Sequence, residues 1–174
     1  MTVAAVVLAA GEASRFGSPK QRLLLPRVLE RLRESRVDEI VVVEGAHELL
    51  LPSDTVSQGA RVVPCREWAD GAGASLRCGL SALAGDVEAA VVVLADGPNL
   101  SPQAIERVVD EWRARGGVVA ASYDGARGHP LVLGRADWLS VPDEGLRDRP
   151  VRLVPCDDLG TPGDVDTPED LEAL

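Results

Sequence analysis

The sequence predicts an α/β fold, a mostly parallel sheet covered by helices on both faces and built as one domain over residues 1–174. Three observations carry that prediction. The runs Val3–Leu8 and Ala89–Ala95 are apolar, rich in valine and free of polar alternation, as strands covered on both faces must be. Leu25, Val28, Leu29 and Leu32 fall on one stripe of a helix placed between two such strand runs. The chain is 45% hydrophobic yet has only five aromatic residues, so one core of Leu, Val and Ala is expected, a composition suited to parallel strands and packed helices.

The first strand, Val3–Leu8, opens into a loop bounded by Gly11 and Gly17 that ends in Lys20 and Gln21. Glycines there let backbone N–H groups approach an anion with no Cβ in the way. Five residues separate the two glycines and Gln21 follows Lys20, which fits neither a Walker loop nor a Gly-x-Gly-x-x-Gly dinucleotide loop. Lys20 stands out as the single lysine beside seventeen arginines. A compact ammonium differs in function from a planar guanidinium, and the plainer alternative is a solvated loop lysine.

Pro26 is placed to open the next helix, because its missing N–H would be unpaired there in any case. Ile40–Val43 reads as the second strand and Gly45-Ala46-His47 as its outgoing turn. A short helix near Glu48 to Leu51, ended by Pro52, precedes a third strand at Ala60–Val63. Gly71 and Gly73 then introduce a helix carrying Ser75 in its first turn. They either form only a turn or allow close approach of a ligand. The strand Ala89–Ala95 ends in Asp96-Gly97-Pro98, and ligands of open α/β sheets bind at the carboxyl ends of strands, so Asp96 is placed to hold a cation.

Ser101 reads as the cap of a helix with Pro102 at its first position, running to Arg115 and stopped by Gly116-Gly117. Val118–Ser122 is a further strand, Gly128-His129-Pro130 a turn and Val151–Val154 the last strand. Thr167 caps a terminal helix with Pro168 at its start, and Asp170 completes a capping box. That leaves Asp164 and Asp166 free to hold a metal.

The net charge of −10 argues against a general nucleic-acid surface, while Arg15 and Lys20 can still make one site locally basic for a small anionic substrate. The first apolar run is too short for a membrane span and has no basic n-region, so a cytoplasmic protein with no membrane contact is expected. Cys65, Cys78 and Cys156 are odd in number and lack Cys-x-x-Cys spacing. They read as small buried apolar residues rather than as a disulfide framework or a zinc site. His47 and His129 lack metal-ligand spacing.

Leu8-Ala9-Ala10-Gly11-x-x-Ser14-Arg15-Phe16-Gly17-x-x-Lys20-Gln21 resembles the signature of the MobA-like nucleotidyltransferases, most closely the branch containing molybdenum cofactor cytidylyltransferase. Trp68–Leu76 resembles that family's Gly-x-x-x-Ser-Leu element beside the base and ribose. Asp96-Gly97-Pro98 resembles its Asp-x-Pro magnesium ligand, and Gly128-His129-Pro130 its turn facing the acceptor. The resemblance implies a Rossmann-like three-layer sandwich of the nucleotide-diphospho-sugar transferase type. It implies a nucleotide site of Leu8, Ala9, Ala10, Gly11, Ser14, Arg15, Gly17, Lys20, Gly71 and Ser75, with Arg15 and Lys20 as catalytic cations on the phosphates. Asp96 and Asp164 would hold Mg²⁺, with Asp166 as an additional candidate, and Gly128, His129 and Pro130 would meet the acceptor.

The implied reaction is attack by a phosphate oxygen of an acceptor such as molybdopterin on the α-phosphate of an NTP, releasing pyrophosphate. Ala10 points to CTP, because guanylyltransferase relatives usually have Gly there and an added Cβ leaves less room for a purine. The chain departs from the family in lacking a Gly-containing segment after Pro26, in having Cys65 where Asn is frequent, and in Asp143–Arg147, where relatives often carry Gly-Asp-x-Gly-Ala-Arg. Three alternatives stay open: a guanylyltransferase of the same family, a nucleotide-binding regulatory module without catalysis, and a dinucleotide-dependent oxidoreductase.

Overall fold

The computed structural model describes residues 1–11, 20–49, 59–163 and 169. In chain order these form β1 (Thr2–Ala9), α1 (Lys20–Arg33), β2 (Glu39–Glu44), β3 (Ala60–Pro64), α2 (Ala72–Ala82), β4 (Val87–Leu94) and α3 (Pro102–Arg115). They continue with β5 (Val118–Tyr123), β6 (Ala126–Gly134) and β7 (Arg152–Pro155). The strands make one sheet in the order β3-β2-β1-β4-β6-β5-β7. Only β6 runs against its neighbours, pairing antiparallel with both β4 and β5.

Period-two alternation along β1 explains the layers. Val3, Ala5 and Val7 face Leu25, Val28, Leu29 and Leu32 of α1 and Ile105 and Val108 of α3. Ala4 and Val6 face Leu76 and Leu80 of α2, together with Trp138 and Val141. The expected doubly covered strands are therefore present, as is the predicted capping of α3. The Ser101 hydroxyl accepts from the Ala104 N–H, and Gly116 closes the helix at φ 63°. Among the described residues, no helix is long and apolar enough to cross a membrane.

Four sequence expectations need correction or fall away. Pro26 lies inside α1 rather than at its start. A proline within a helix costs about 3 kcal/mol, whereas Leu25, Val28, Leu29 and Leu32 are each fully buried and contribute about 1.5–3 kcal/mol apiece, so burial of the stripe wins. Gly128-His129-Pro130 belongs to β6 and not to a turn. Pro130 can sit there because the β4 ladder reaches only to Leu131, and the β5 register shifts just past Ala120, so its missing N–H falls at a gap in the pairing. Glu48 and Leu49 are not helical, and the rest of the short helix expected there lies outside the described residues, as do Thr167, Pro168 and Asp170.

The fourth correction concerns the cysteines. Cys65 and Cys78 form a disulfide, and only Cys156 is free and buried. Their thirteen-residue separation gives no local motif. The fold pairs them by packing α2 beside the exit of β3, where the Cys65 N–H donates to the Glu44 carbonyl.

That packing depends on Gly79. A Cβ at Gly79 would fall 2.5 Å from Cγ1 of Val6 and 2.8 Å from Cγ2 of Val43. Helix propensity alone favours Gly79→Ala by about 1 kcal/mol. The clash with two branched, fully buried side chains opposes it by about 1–3 kcal/mol. Urea unfolding of Gly79→Ala should show a net loss of about 1 kcal/mol rather than a gain.

Candidate functional site

β1 and β4 run parallel and stop together. Leu8 pairs with Leu94, and the Ala95 N–H donates to the Leu8 carbonyl at 3.1 Å. Leu8, Ala9, Ala10 and Asp96 therefore emerge on one edge of the sheet, with Gly11 exposed beyond them. Ala10 is buried, and its carbonyl accepts from the Ala46 N–H at 3.2 Å. A Cβ at Gly45 would fall 2.8 Å from that of Ala10 and 2.6 Å from that of Trp68, so these segments meet with no spare volume. Ser14, Arg15 and Gly17 lie outside the described residues. Lys20 is placed as the first residue of α1, and nothing is described of its side chain.

The start of α2 borders the same edge. Gly71 has φ 137°, a conformation that side chains rarely adopt, and a Cβ on it would overlap the Asp143 carbonyl. A Cβ on Gly73 would overlap the Pro142 carbonyl, and the Gly73 N–H donates to Asp143 O at 2.9 Å. Both glycines thus serve close packing against Pro142–Gly145. Ser75 is buried in the first turn of α2, where its N–H donates to Gly71 O at 3.3 Å. Arg77 reaches the Val141 carbonyl at 2.8 Å and pairs with the Asp143 carboxylate, which sequence reasoning had not singled out. Its i,i+3 to i,i+4 spacing from Gly73 and Ala74 carried no signal, because the partner lies more than sixty residues away.

Between these walls lies a cavity of about 480 Å³ bounded by Leu8, Leu94, Ala72, His129, Glu144 and Arg147. A second, of about 450 Å³, shares Leu94, Arg127, Gly128 and His129 with it and continues to Gly97, Pro162 and Gly163. The structure therefore brings the expected acceptor residues Gly128 and His129 to the face shared by β1 and β4. Pro130, by contrast, is buried behind them. Arg127 donates to the carbonyls of Leu146 at 2.6 Å and of Arg147 and Arg149 at 3.3 Å each, tying the loop after Glu144 onto β6. Burial lowers its pKa from the usual value, yet a guanidinium stays charged at neutral pH.

Burial, helped by the Arg127 cation, pushes His129 down to about 4, while the Asp96 carboxylate acts in the opposite sense. His129 is therefore neutral at pH 7 and offers hydrogen bonds, not charge. Its carbonyl accepts from Tyr123 Oη at 3.0 Å, and burial raises that phenol to about 12, so it remains a donor. The ring of Tyr123 packs where a Cβ at Gly128 would fall 2.9 Å away.

Asp164 and Asp166 lie outside the described residues, but the chain leading to them does not. The Asn99 N–H donates to Pro162 O at 2.9 Å, and a Cβ on Gly97 would lie 3.2 Å from Pro162 Cβ and 3.5 Å from Gly163 O. Gly163, just before Asp164, thus rests against Gly97, just after Asp96.

A family model described as the MobA-like NTP transferase domain matches residues 5–154. The chain resembles the crystal structure of Rv0371c from Mycobacterium tuberculosis, with 27% identity, TM-score 0.79, and 99% of this chain and 97% of that one covered. It also resembles a manganese complex of Rv0371c, with 24% identity, TM-score 0.72, and 100% and 98% covered. A third likeness is to 4-diphosphocytidyl-2C-methyl-D-erythritol synthase from Anaerococcus prevotii, with 18% identity, TM-score 0.71, and 99% and 95% covered. A sequence search of curated proteins found no match. The fold is the Rossmann-like one of nucleotide-diphospho-sugar transferases.

The neutral His129 has a measurable consequence. A histidine near 6.5 in the unfolded chain and about 4 in the folded one binds more protons when unfolded, so stability rises with pH across that window and is lost as pH falls through it. Between about pH 7.5 and pH 5 this group should remove about 2 kcal/mol. Urea unfolding at both pH values should show His129→Gln losing less stability than the parent, by about that amount.

Proposed function

The chain belongs to the MobA-like NTP transferase family, and from that premise we propose that it transfers a nucleoside monophosphate from CTP to a phosphorylated small-molecule acceptor, molybdopterin being the first candidate. An acceptor phosphate oxygen bonds to the α-phosphorus of the nucleotide as the bond to pyrophosphate breaks. An ionised phosphate needs no strong base, which agrees with the neutral, weakly basic His129 at the cavity. The chain's work is positioning and charge neutralisation. Arg15 and Lys20 neutralise the triphosphate and the departing pyrophosphate, and the residues from Leu8 to Gly17, with Gly71 and Ser75, form the nucleotide side.

The observation that carries this reading is the Asn99 N–H to Pro162 O hydrogen bond, which holds the Pro162–Gly163 segment beside Gly97 at one cavity. It supports a site that joins Asp96 to Asp164, the residue that follows Gly163 in the chain. Two carboxylates fit a hard divalent cation such as Mg²⁺, which takes oxygen ligands and would supply positive charge beside the phosphates. Asp166 is an additional ligand candidate in the same arm. On the acceptor side, Arg127 is engaged by three carbonyls, so Arg147 is the cation left to meet an acceptor phosphate, while His129 and Gly128 shape the wall.

The CTP preference rests on Ala10. Ala10 is buried beside Gly45 and the Trp68 turn, and the resemblance to the cytidylyltransferase branch, where guanylyltransferase relatives usually have Gly, is what supports the preference. A catalytically silent nucleotide-binding module is the second reading. The unbroken passage of α1 through Pro26, where relatives carry an additional segment, favours it.

Pyrophosphate release, measured with each NTP and with molybdopterin first among acceptors, separates the two readings. Turnover with CTP above GTP is expected, and binding without turnover would favour the silent module. Asp96→Asn should lower turnover by about 10²–10³-fold, as loss of several kcal/mol of charge stabilisation requires. Lys20→Ala should weaken nucleotide binding or transfer by about tenfold or more without a fall in Tm, because one charge-assisted contact is worth about 1.5–3 kcal/mol.

A further inference from the structure

Cys65, two residues before Glu67, and Cys78 of α2 present three metal-ligating atoms within 4.8 Å of one another. Glu67 Oε2 lies 3.9 Å from Cys65 Sγ and 3.8 Å from Cys78 Sγ. One oxygen of the exposed Glu67 carboxylate therefore sits beside both sulfurs. In a tetrahedral zinc site with Zn–S near 2.3 Å and Zn–O near 2.1 Å, ligand atoms stand about 3.6–3.8 Å apart. The carboxylate oxygen already holds that spacing from both sulfurs, and only the sulfurs need to part.

We propose that Cys65, Cys78 and Glu67 form a redox-gated site for a thiophilic divalent cation, closed as the disulfide and opened by reduction. A small dithiol reductant delivers two electrons and two protons. The Cys65–Cys78 bond breaks, two thiols form, and the reductant becomes a disulfide. Metal binding then displaces both thiol protons to solvent and makes two metal–thiolate bonds and one carboxylate bond. Cys65 is buried while Glu67 is exposed, so the fourth position faces water and both metal and reductant approach from that side. The soft donor pair separates this site from the oxygen ligands proposed for the nucleotide, which select hard cations.

The geometry also gives the site a mechanical role. The pair fastens the exit of β3 to α2, and the Trp68 turn between the two cysteines packs on Gly45 and Ala10. Both the disulfide and the metal-bound form retain that fastening.

Thiol titration of the denatured full chain, followed by Co²⁺ binding to the native chain in excess Mg²⁺, tests the proposal. One thiol per chain is expected before treatment with dithiothreitol and three after it. The reduced protein, freed of reductant, should bind one Co²⁺ with a thiolate-to-cobalt charge-transfer band that Zn²⁺ abolishes, and the oxidised protein should show none. Cys78→Ser should lose the band, Cys156→Ser should keep it, and Glu67→Gln, a surface change compatible with folding, should weaken Co²⁺ binding by about tenfold or more. Three thiols before reduction, no band in the reduced protein, a band surviving in Cys78→Ser, or unchanged affinity in Glu67→Gln would each overturn it.

Discussion

A parallel pair of strands covered on both faces can present polar chemistry only where it ends, and the organisation of this molecule follows from that constraint. β1 and β4 are buried over most of their length and stop in register at Leu8 and Leu94, so the chain from Ala10 to Gly11 and Asp96 emerges on one edge. The antiparallel strand β6 lies beside β4, and its first half overshoots the ladder, placing Arg127, Gly128 and His129 beyond that edge. Segments far apart in sequence therefore share one cavity wall without any loop having to cross the core.

The walls hold their shape through contacts that leave no space for a side chain. Gly45, Gly71, Gly73 and Gly79 each lie where a Cβ would meet neighbouring atoms. Such packing fixes backbone positions more firmly than hydrogen bonds alone, since relaxing it displaces whole segments. Arg127 adds a polar clamp, three carbonyls on one guanidinium nitrogen, and that clamp together with burial holds His129 neutral. The electrostatics of the cavity are thus a consequence of how the loop after Glu144 is tied down.

Much of this was legible in the residues. The apolar runs at Val3–Leu8 and Ala89–Ala95 identified the two central strands, and Ser101, Pro102 and Gly116 bounded α3, because local chemistry alone sets those features. The edge carrying Leu8 to Gly11 and Asp96 followed from the rule for strand ends. What stayed hidden was decided by distant partners. Pro26 reads as a helix start until the buried stripe around it is weighed, and Gly128-His129-Pro130 reads as a turn until the gap in the β6 ladder is seen. Cys65 and Cys78 have no motif in common, and only the seating of α2 against β3 joins them. Arg77 and Arg127 found their roles through carbonyls and a carboxylate that no spacing announces. Arg15, Asp164 and Asp166 lie outside the described residues.

The proposed site has Asp96, just past the end of β4, as its centre. Its most direct test is a crystal structure of the chain with Mn²⁺ and a non-hydrolysable CTP analogue, read by the anomalous signal of the manganese. That signal is expected within direct coordination distance of carboxylate oxygens of Asp96 and Asp164, with the triphosphate along the segment from Gly11 to Lys20. A metal bound elsewhere, or a nucleotide lodged away from the ends of β1 and β4, would contradict it.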